Sequence, residues 1–466
     1  MKPLHRKHPL RTPSRFARIA VLLAAEALAV ALPMPAAVPL LATVPVPAAA
    51  PAPAPVPEGT AADPVLLDDD AVVAAVMDLV AARLEVMTPV AASKWLAGTP
   101  VADPAREQVV LEGAAARAGA IGLAPQTVRA FFALQIEFGR ARQEALHAEW
   151  RKAGCAACCT PPELAALRAR IDGINHDLLE ALYLAAPALA QAQMPTDSAG
   201  HAASAASQRL AAALPDPLDR QRLLEHLHAI RIDRSADLGR IRASGVLRIG
   251  TTGDYAPFSL ESGGRVRGAD VELARALAAQ FGLRPVFVRT SWPTLLADLA
   301  AQRFDVALSG ISITPERRAR GRFSLPYQSG GKTLVARCAD RARFRTLAQV
   351  DRRQVRVVVN PGGTNERYVR EHLHHARILV HADNRSVFDE ILDGRADVMI
   401  TDDVEADLQA LREPRLCRTL QGTLNRSDKA VFMIDDAALE AAVNTWLAKA
   451  IAQGLPARAL RAAMQP

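Results

Sequence analysis

Residues 307–327 read ALSGISITPERRARGRFSLPY. An apolar run ends here in small hydroxyl and glycine residues, whose backbone N–H groups can meet a carboxylate. Arg317 follows five residues after Ser312, and its planar guanidinium offers two parallel donors that match a carboxylate. Two interpretations stay open from these residues alone: a site for an anionic ligand, or a surface ion pair between Arg317 and Glu316.

The residues around this stretch predict an α/β domain over 236–466. Six short runs are rich in Val, Ile and Leu: GVLRIGTT, RPVFVRT, FDVALSG, VRVVVN, ARILVHA and ADVMITD. Helical stretches such as DVELARALAAQFG separate them, and this alternation is typical of largely parallel sheets. The polar stretches TTGDYAPF, SGISITPERR, NPGGTNE and TDD all follow predicted strands. Because ligands gather at the carboxyl ends of such strands, we expect a site there.

The preceding residues, 66–233, predict a helical bundle. DDDAVVAAVMDLVAARLEVM begins with acidic residues suited to a helix N-terminus and continues with apolar residues at helical spacing. Residues 124–154 predict one long amphipathic helix that ends at Gly154. A third helix should start at TPPEL with a Thr cap and a proline in its first turn, and a fourth should cover roughly 217–231.

The N-terminus predicts export from the cytoplasm. The first residues are basic, the run IAVLLAAEALAVALP is apolar but short, and small residues follow, which is the order of a secretory signal. We expect a signal peptide within 1–50, cleaved between Ala37 and Ala50, a Pro/Ala-rich linker over 51–65, and a periplasmic location. Glu26 interrupts the apolar run and disfavours an uncleaved membrane anchor.

Net charge and cysteine content narrow the possible ligands. The 466 residues carry a formal net charge of +7, but the basic residues are interleaved with acids, which fits small anions better than nucleic acid. Of the five cysteines, Cys338 and Cys417 are the simplest disulfide pair in an exported protein. Pairing within Cys155, Cys158 and Cys159 stays open, and without a second cluster at zinc spacing we expect no metal site.

The α/β half resembles the amino-acid-binding branch of periplasmic solute-binding proteins. The resemblance rests on LRIGTTGDYAPFSL, GADVELARALAAQFG, RFDVALSGISITPER, FSLPY and GGTNE, and it implies two α/β lobes with a ligand cleft between them. It implies that Arg317 binds a ligand α-carboxylate and that Asp402 binds an α-amino group. The further contacts that it implies are Ser309, Ser312 and Thr364 on the carboxylate, with Tyr255 and Trp292 as aromatic walls.

The stretches TSWPTL, SGISI, GGKT and especially NPGGTNE are similar to cyclohexadienyl dehydratases, which are enzymes on the same scaffold. That family converts prephenate to phenylpyruvate, or arogenate to phenylalanine. Hydroxide is a poor leaving group, so the reaction needs a general acid beside the ring hydroxyl. The resemblance implies Glu366 as that acid, with its pKa raised by a closed, dry cleft, and suggests Lys332 for the ring carboxylate. From the residues alone, Glu366 is equally a helix-N-terminal carboxylate, whose pKa the helix dipole lowers.

The helical half resembles secreted, all-helical chorismate mutases through RLEVMTPVAASKW, ADPAR and QIEFGRARQ. In that family chorismate rearranges to prephenate without a nucleophile or a proton transfer. The resemblance implies that the two substrate carboxylates bind Arg83, Arg106 and Arg168. It implies Lys94 and Gln143 as donors to the breaking ether oxygen, and Gly139 stands where some relatives carry a hydroxyl residue. Taken singly, each cation is also an ordinary charge on a solvated helix face.

Together the two resemblances predict a bifunctional enzyme of phenylalanine biosynthesis, because the product of the helical domain is the substrate of the α/β domain. We expect it to need no metal, nucleotide or redox cofactor. We expect the substrates chorismate, prephenate and arogenate, and no nucleic acid. We also expect no membrane span after signal cleavage, and a homodimer through the helical domain. The alternative is a periplasmic amino-acid-binding protein of a transporter with a non-catalytic helical module. Preference between prephenate and arogenate, and direct transfer between the domains, stay open at this point.

Overall fold

A computed structural model describes residues 62–154, 163–191, 205–233 and 237–465. The predicted signal peptide, most of the predicted linker and the cluster of Cys155, Cys158 and Cys159 lie outside the described residues. Among the described helices, none is both long enough and apolar enough to cross a membrane.

The helices, in chain order, are α1 (Asp69–Glu85), α2 (Met87–Ala97), α3 (Pro104–Ala120), α4 (Pro125–Ala153), α5 (Leu164–Gln191), α6 (Ala205–Ala213), α7 (Pro217–His228), α8 (Leu238–Ser244), α9 (Ala269–Gln280), α10 (Leu295–Ala300), α11 (Pro315–Arg318), α12 (Leu347–Val350), α13 (Thr364–His372), α14 (Asp389–Leu392), α15 (Asp403–Arg412), α16 (Ala437–Ala452) and α17 (Leu455–Ala463). The strands are β1 (Leu66–Leu67), β2 (Val246–Thr251), β3 (Asp254–Tyr255), β4 (Ser259–Ser262), β5 (Arg265–Arg267), β6 (Arg284–Arg289), β7 (Val306–Ala307), β8 (Arg322–Phe323), β9 (Gln328–Gly330), β10 (Lys332–Arg337), β11 (Arg356–Val359), β12 (Arg377–Val380), β13 (Val398–Asp402), β14 (Leu416–Arg418), β15 (Ser427–Lys429) and β16 (Phe432–Met433).

Helices α1 to α7 form the helical domain. The carboxylate of Asp68 caps α1 by accepting a hydrogen bond from the Ala71 amide, as the acidic start of this segment predicts. Helix α4 runs unbroken for 29 residues and ends at Gly154, whose φ of 60° is the left-handed conformation that glycine adopts without strain. Apolar side chains from α1, α4 and α5, such as Val76, Phe131 and Leu182, are fully buried and form the core of the bundle.

The α/β half consists of two lobes. In the first lobe the strand order is β1-β6-β2-β7-β16-β8, and in the second it is β12-β11-β13-β10-β14. Strands β6, β2 and β7 are mutually parallel, as are β12, β11 and β13, so the carboxyl ends of these strands point the same way within each sheet. The chain passes between the lobes twice, through β9 and β15, which pair antiparallel. The predicted fold class, a helical domain plus a two-lobed α/β domain, is confirmed.

A disulfide joins Cys338 to Cys417, the pair expected from the sequence. The two residues lie at the end of β10 and in β14, which are neighbouring antiparallel strands of the second lobe. Their Cα atoms are 4.9 Å apart, within the range that a disulfide spans.

The helical domain and the first lobe share one continuous interface. Strand β1, which precedes the first helix, pairs in parallel with β6 of the first lobe, with Leu66 opposite Phe287. Val246 and Val286 of that lobe are buried in the same apolar cluster as the core of the bundle. The sequence placed residues 66 and 67 with the helical half; the structure differs because this short apolar segment completes the edge of a sheet.

Candidate active sites

The helical domain contains a cavity that is lined by five predicted residues, one from each of the helices α1 to α5. The apolar residues of α1 to α5 recur at helical spacing and pack into the core of the bundle. The polar residues of these helices therefore lie beside the core and come together at this cavity. The lining includes all five mutase residues predicted from the sequence, and also Gly139; the five are Arg83, Lys94, Arg106, Gln143 and Arg168. As a group, these residues therefore are not ordinary charges on solvated helix faces, which was the other interpretation of each cation taken singly.

Arg83 is the most deeply buried cation of this cavity, with 4% of its surface exposed. Its Nε donates to Oδ1 of Asn175 at 3.0 Å, and its NH1 donates to the carbonyl oxygen of Gln135 at 2.8 Å. Burial lowers the pKa of Arg83 to about 10, so the side chain is still charged at neutral pH. Both partners are neutral oxygen atoms, so they orient the guanidinium without neutralising it.

Lys94 and Gln143 supply N–H donors inside the same cavity. The Nζ atom of Lys94 donates to the carbonyl oxygen of Val101 at 2.5 Å, and burial lowers the pKa of this lysine although Asp103 opposes the shift. The Nε2 atom of Gln143 donates to the carbonyl oxygen of Gly139 at 3.0 Å, and its Oε1 is buried without a hydrogen-bond partner among the described residues. An amide has two N–H donors, so Gln143 can still donate to a ligand.

Two carboxylates that the sequence analysis missed pair with the remaining arginines. Arg106 NH2 lies 2.6 Å from Oδ2 of Asp172, and Arg168 NH2 lies 2.7 Å from Oδ2 of Asp103. These pairs are partly exposed; the side chains of Arg106 and Asp172 are 32% and 52% accessible. Asp103 had a recognisable signal, because an Asp before a proline is typical of a helix N-cap, and its carboxylate accepts from the Arg106 amide at 3.2 Å.

The cleft between the two lobes forms a second, polar cavity. Of the predicted residues, six line it: Tyr255, Trp292, Ser312, Arg317, Thr364 and Asp402. Arg317 is 6% exposed, its NH1 donates to the carbonyl oxygen of Ser312 at 2.9 Å, and its guanidinium carbon lies 5.9 Å from the Trp292 ring. Burial, reinforced by the charge of Arg367, lowers the pKa of Arg317 to about 10, so it is charged at neutral pH.

Asp402 is the centre of a buried charge cluster at this cleft. Its Oδ1 accepts from Nζ of Lys332 at 2.8 Å, and its Oδ2 accepts from Nζ of Lys429 at 2.5 Å and from the Tyr255 hydroxyl at 2.5 Å. Burial raises the pKa of Asp402, but the two ammonium groups outweigh burial and hold it well below its usual range. Burial lowers the pKa of Lys332 to about 8. The side chain of Lys332 lies behind the residues that line the cleft, where it donates to Asp402, Thr364 and Asn365.

Glu405, which the sequence analysis missed, lies behind the same part of the cleft. It is 2% exposed, and burial raises its pKa to about 8, so it is largely protonated at neutral pH. The Thr401 hydroxyl donates to its Oε2, and the same hydroxyl accepts from Nδ2 of Asn365 at 3.1 Å. Asn365 lines the cleft and accepts from Lys332 at 2.5 Å, so hydrogen bonds connect Glu405 to the ligand cavity.

Three predicted residues do not line the cleft: Lys332, which lies behind Asp402, Glu366 and Ser309. The expected raised pKa of Glu366 is wrong: its side chain is 20% exposed and accepts from the Gly362 amide at 2.8 Å and from Arg370 at 2.7 Å, and these bonds lower its pKa. Glu366 is absent from the lining of the cleft, because it turns to its own helix terminus and to the arginine one turn later. Ser309 is also absent from the lining: it is fully buried, and its hydroxyl bonds Thr252 at 2.8 Å and Ser259 at 2.6 Å.

Comparisons with known proteins agree with this architecture. The profile of the bacterial extracellular solute-binding proteins, family 3, matches residues 247–461, and that of chorismate mutase type II matches residues 70–144. A cyclohexadienyl dehydratase from Pseudomonas aeruginosa is 48% identical over 221 residues, which is 47% of this chain and 82% of that protein.

The chain belongs to family 3 of the bacterial extracellular solute-binding proteins. In this family 3 chain, the helical half carries the chorismate mutase type II match, so both resemblances drawn from the sequence are confirmed. The L-cystine-binding protein TcyJ of Escherichia coli is 28% identical over 36% of this chain and 63% of that protein. The crystal structure of an ancestral amino acid-binding protein, a precursor of cyclohexadienyl dehydratase, shows 30% identity and a TM-score of 0.46 over 48% of this chain and 98% of that one.

Proposed function

We propose that this protein is a bifunctional enzyme that rearranges chorismate to prephenate in its helical domain and converts prephenate to phenylpyruvate in its two-lobed domain. The observation that carries the proposal is the fusion itself. A chorismate mutase type II domain, whose family forms prephenate, shares one chain with a domain 48% identical to a cyclohexadienyl dehydratase. The identity of 48% to a dehydratase against 28% to the L-cystine-binding protein TcyJ, and the cationic lining of the helical cavity, support this assignment over a transporter-binding protein with an inert helical module.

In the helical cavity, three arginines hold a dianion and two N–H donors stabilise its reacting centre. Arg83, Arg106 and Arg168 bind the two carboxylates of chorismate, the latter two after releasing Asp172 and Asp103. Lys94 and Gln143 donate to the ether oxygen, on which negative charge develops as the C–O bond breaks. The reaction is intramolecular, so the cavity accelerates it by holding the reactive conformer and the charge, without a nucleophile.

In the cleft, Arg317 binds the side-chain carboxylate of prephenate, and the rings of Tyr255 and Trp292 contact its six-membered ring. Glu405, which is protonated at neutral pH, is the source of the proton that lets the ring hydroxyl leave as water. Because its carboxyl group lies behind the lining and the Asn365 amide passes on no proton, this proton reaches the ring hydroxyl through one water molecule between them. As the C–O bond breaks, the electron pair of the ring C–carboxylate bond enters the ring, which becomes aromatic, and carbon dioxide leaves. Lys332, already bonded to Asn365 and Thr364 in the wall of the cleft, stabilises charge there.

Incubating the purified protein with chorismate tests both activities at once, because phenylpyruvate should accumulate. Replacing Lys94→Ala should lower kcat/KM for chorismate by about 10²- to 10³-fold, the loss typical of one transition-state donor. The same variant should convert added prephenate at the wild-type rate. The matched control is Lys152→Ala, which removes an exposed lysine from the same domain.

Failure to convert prephenate would contradict the dehydratase assignment, and an active Lys94→Ala variant would contradict the mutase site. A location outside the cytoplasm is part of the proposal, supported by the extracellular family and by the composition of residues 1–50. The expected signal cleavage and the homodimer stay predictions, which N-terminal sequencing and sedimentation of the exported protein can test.

A further inference from the structure

Asp402 has already bound its cations. Its two oxygen atoms accept hydrogen bonds from the ammonium groups of Lys332 and Lys429 and from the hydroxyl of Tyr255, at 2.8, 2.5 and 2.5 Å. A carboxylate has about four lone-pair positions, so three charged or polar donors use most of its capacity. The resemblance drawn from the sequence implies that this residue binds a ligand α-amino group, whereas in the structure its oxygen atoms are bonded to two cations that the protein itself supplies.

Lys429 is the cation that faces the cavity. It is 4% exposed and lines the cleft, whereas Lys332 contacts Asp402 from behind the lining. Its Nζ also donates to Oγ of Ser312 at 2.8 Å and lies 5.7 Å from the centre of the Tyr255 ring. Because Ser312 and Tyr255 belong to the first lobe and Asp402 to the second, three partners on both sides of the cleft hold the ammonium in place.

The charges around the cavity match a dianion. Arg317, Lys332 and Lys429 are positive and Asp402 is negative, which leaves two positive charges. Prephenate carries two carboxylates and a ketone, whereas arogenate carries two carboxylates and an ammonium in place of the ketone. A substrate ammonium placed at Asp402 would lie against two lysine ammonium groups, and like charges at hydrogen-bond distance repel strongly where water is excluded.

We propose that Lys429 makes the cleft select a 2-oxo acid side chain over a 2-amino acid side chain, because its ammonium occupies the carboxylate that a substrate amino group would need. This inference rests on the proposed dehydratase function and names the substrate that the function prefers. It assigns Lys429 as a specificity-determining residue, and it accounts for how a fold that serves amino-acid-binding proteins accepts a keto acid instead.

The test compares kcat/KM for prephenate and for arogenate in the wild type and in Lys429→Met, which keeps the length of the side chain and removes its charge. The wild type should prefer prephenate. In Lys429→Met the ratio of arogenate to prephenate turnover should rise at least about tenfold, which is the range of one charged hydrogen bond. Lys449→Met, which removes an exposed lysine, should leave the ratio unchanged. Lys429→Gln, which keeps a donor to Asp402, should give the same direction of change if the methionine variant does not fold.

A second measurement separates this inference from the proposed function. Calorimetric titration with phenylpyruvate and with L-phenylalanine reports selectivity without turnover: the wild type should bind the keto acid more tightly, and Lys429→Met should gain affinity for the amino acid. A wild type that binds both equally, or a folded variant with an unchanged preference, would overturn the role of Lys429. If neither substrate is turned over while the binding preference holds, the dehydratase assignment fails and the selectivity stands.

Discussion

Glu366 and Glu405 occupy the same position, the third residue of a helix, yet their pKa values shift in opposite directions. Glu366 follows the N-cap Gly363 of α13, where a backbone amide and Arg370 bond its exposed carboxylate and lower its pKa. Glu405 follows the N-cap Asp402 of α15, where burial, reinforced by the Asp402 carboxylate and opposed by the hydrogen bond from Thr401, raises its pKa to about 8. The helix dipole acts on both, so burial decides the difference.

The two glutamates therefore predict opposite outcomes when each is replaced by glutamine. Glu405→Gln should lower dehydratase kcat by about 10²- to 10⁴-fold, the usual contribution of a general acid. Glu366→Gln serves as the matched control, and we expect it to keep most of the dehydratase activity. Both variants should retain wild-type chorismate mutase activity, measured by the disappearance of chorismate. An inactive Glu366→Gln beside an active Glu405→Gln would show that the carboxylate turns into the cleft during turnover.

The pH dependence of the two activities should differ. Glu405 donates only while protonated, and its raised pKa of about 8 means that the protonated fraction falls as the pH rises through that value. Lys332, with a pKa lowered to about 8, loses its positive charge over the same range. Dehydratase kcat/KM should therefore be high near pH 7 and decrease above pH 8. The mutase should keep its activity from pH 5 to pH 7, since Gln143 does not titrate and Arg83 and Lys94 stay charged there, and any decrease at alkaline pH should follow Lys94, whose pKa burial lowers. Dehydratase activity that increases from pH 7 to pH 9 would contradict the acid role.

At the scale of the elements, the mutase cavity depends on how helices α1 to α5 are held against one another. Each of them contributes at least one charged or polar residue to the lining, and the ion pair of Arg106 with Asp172 joins α3 to α5. Asp172 belongs to the protein itself, so it competes with any substrate carboxylate for the guanidinium of Arg106. Helical periodicity predicted these helices, whereas the spacing between their side chains depends on the interhelical packing.

Removing the competing carboxylate should improve substrate binding. Asp172→Asn keeps the shape of the side chain and weakens its bond to Arg106, so KM for chorismate should fall about 1.5- to 5-fold, the range that exposed ion pairs support. Asp177→Asn, an exposed change one and a half turns later on the same helix, should leave KM unchanged. A higher KM in Asp172→Asn would mean that Asp172 positions Arg106 for the substrate instead of competing with it.

At the scale of the whole molecule, the helical domain packs against the first lobe through a buried cluster of charged and aromatic side chains. The ring of Tyr183 in α5 lies 5.2 Å from the guanidinium carbon of Arg240 and 4.5 Å from that of Arg248. Asp305 pairs with both arginines, at 3.2 and 2.6 Å, and these side chains are 0% exposed. The two lobes are joined through β9 and β15, whereas this buried interface joins the helical domain directly to the first lobe.

Loss of the Tyr183 ring should destabilise the protein. Tyr183→Ala leaves a cavity and two buried guanidinium groups without their aromatic neighbour, so the free energy of unfolding should fall by about 3–5 kcal/mol. Tyr183→Phe keeps the ring and is the matched control, with an expected loss below about 1.5 kcal/mol. Urea denaturation of both variants measures the difference. An unchanged midpoint for Tyr183→Ala would show that the domains fold independently.

The sequence by itself determined the fold class, both families, and the mutase residues. Apolar spacing and motif order are local properties of the sequence. The five predicted mutase residues lie on five helices, and on each helix the apolar periodicity leaves the polar residue outside the apolar stripe. The tertiary structure alone decided which carboxyl group is protonated, which cations neutralise Asp402, and that β1 joins a sheet of the other domain. These properties depend on burial and on contacts between residues far apart in the chain, and the pKa of a glutamate follows from its surroundings, which no local pattern contains.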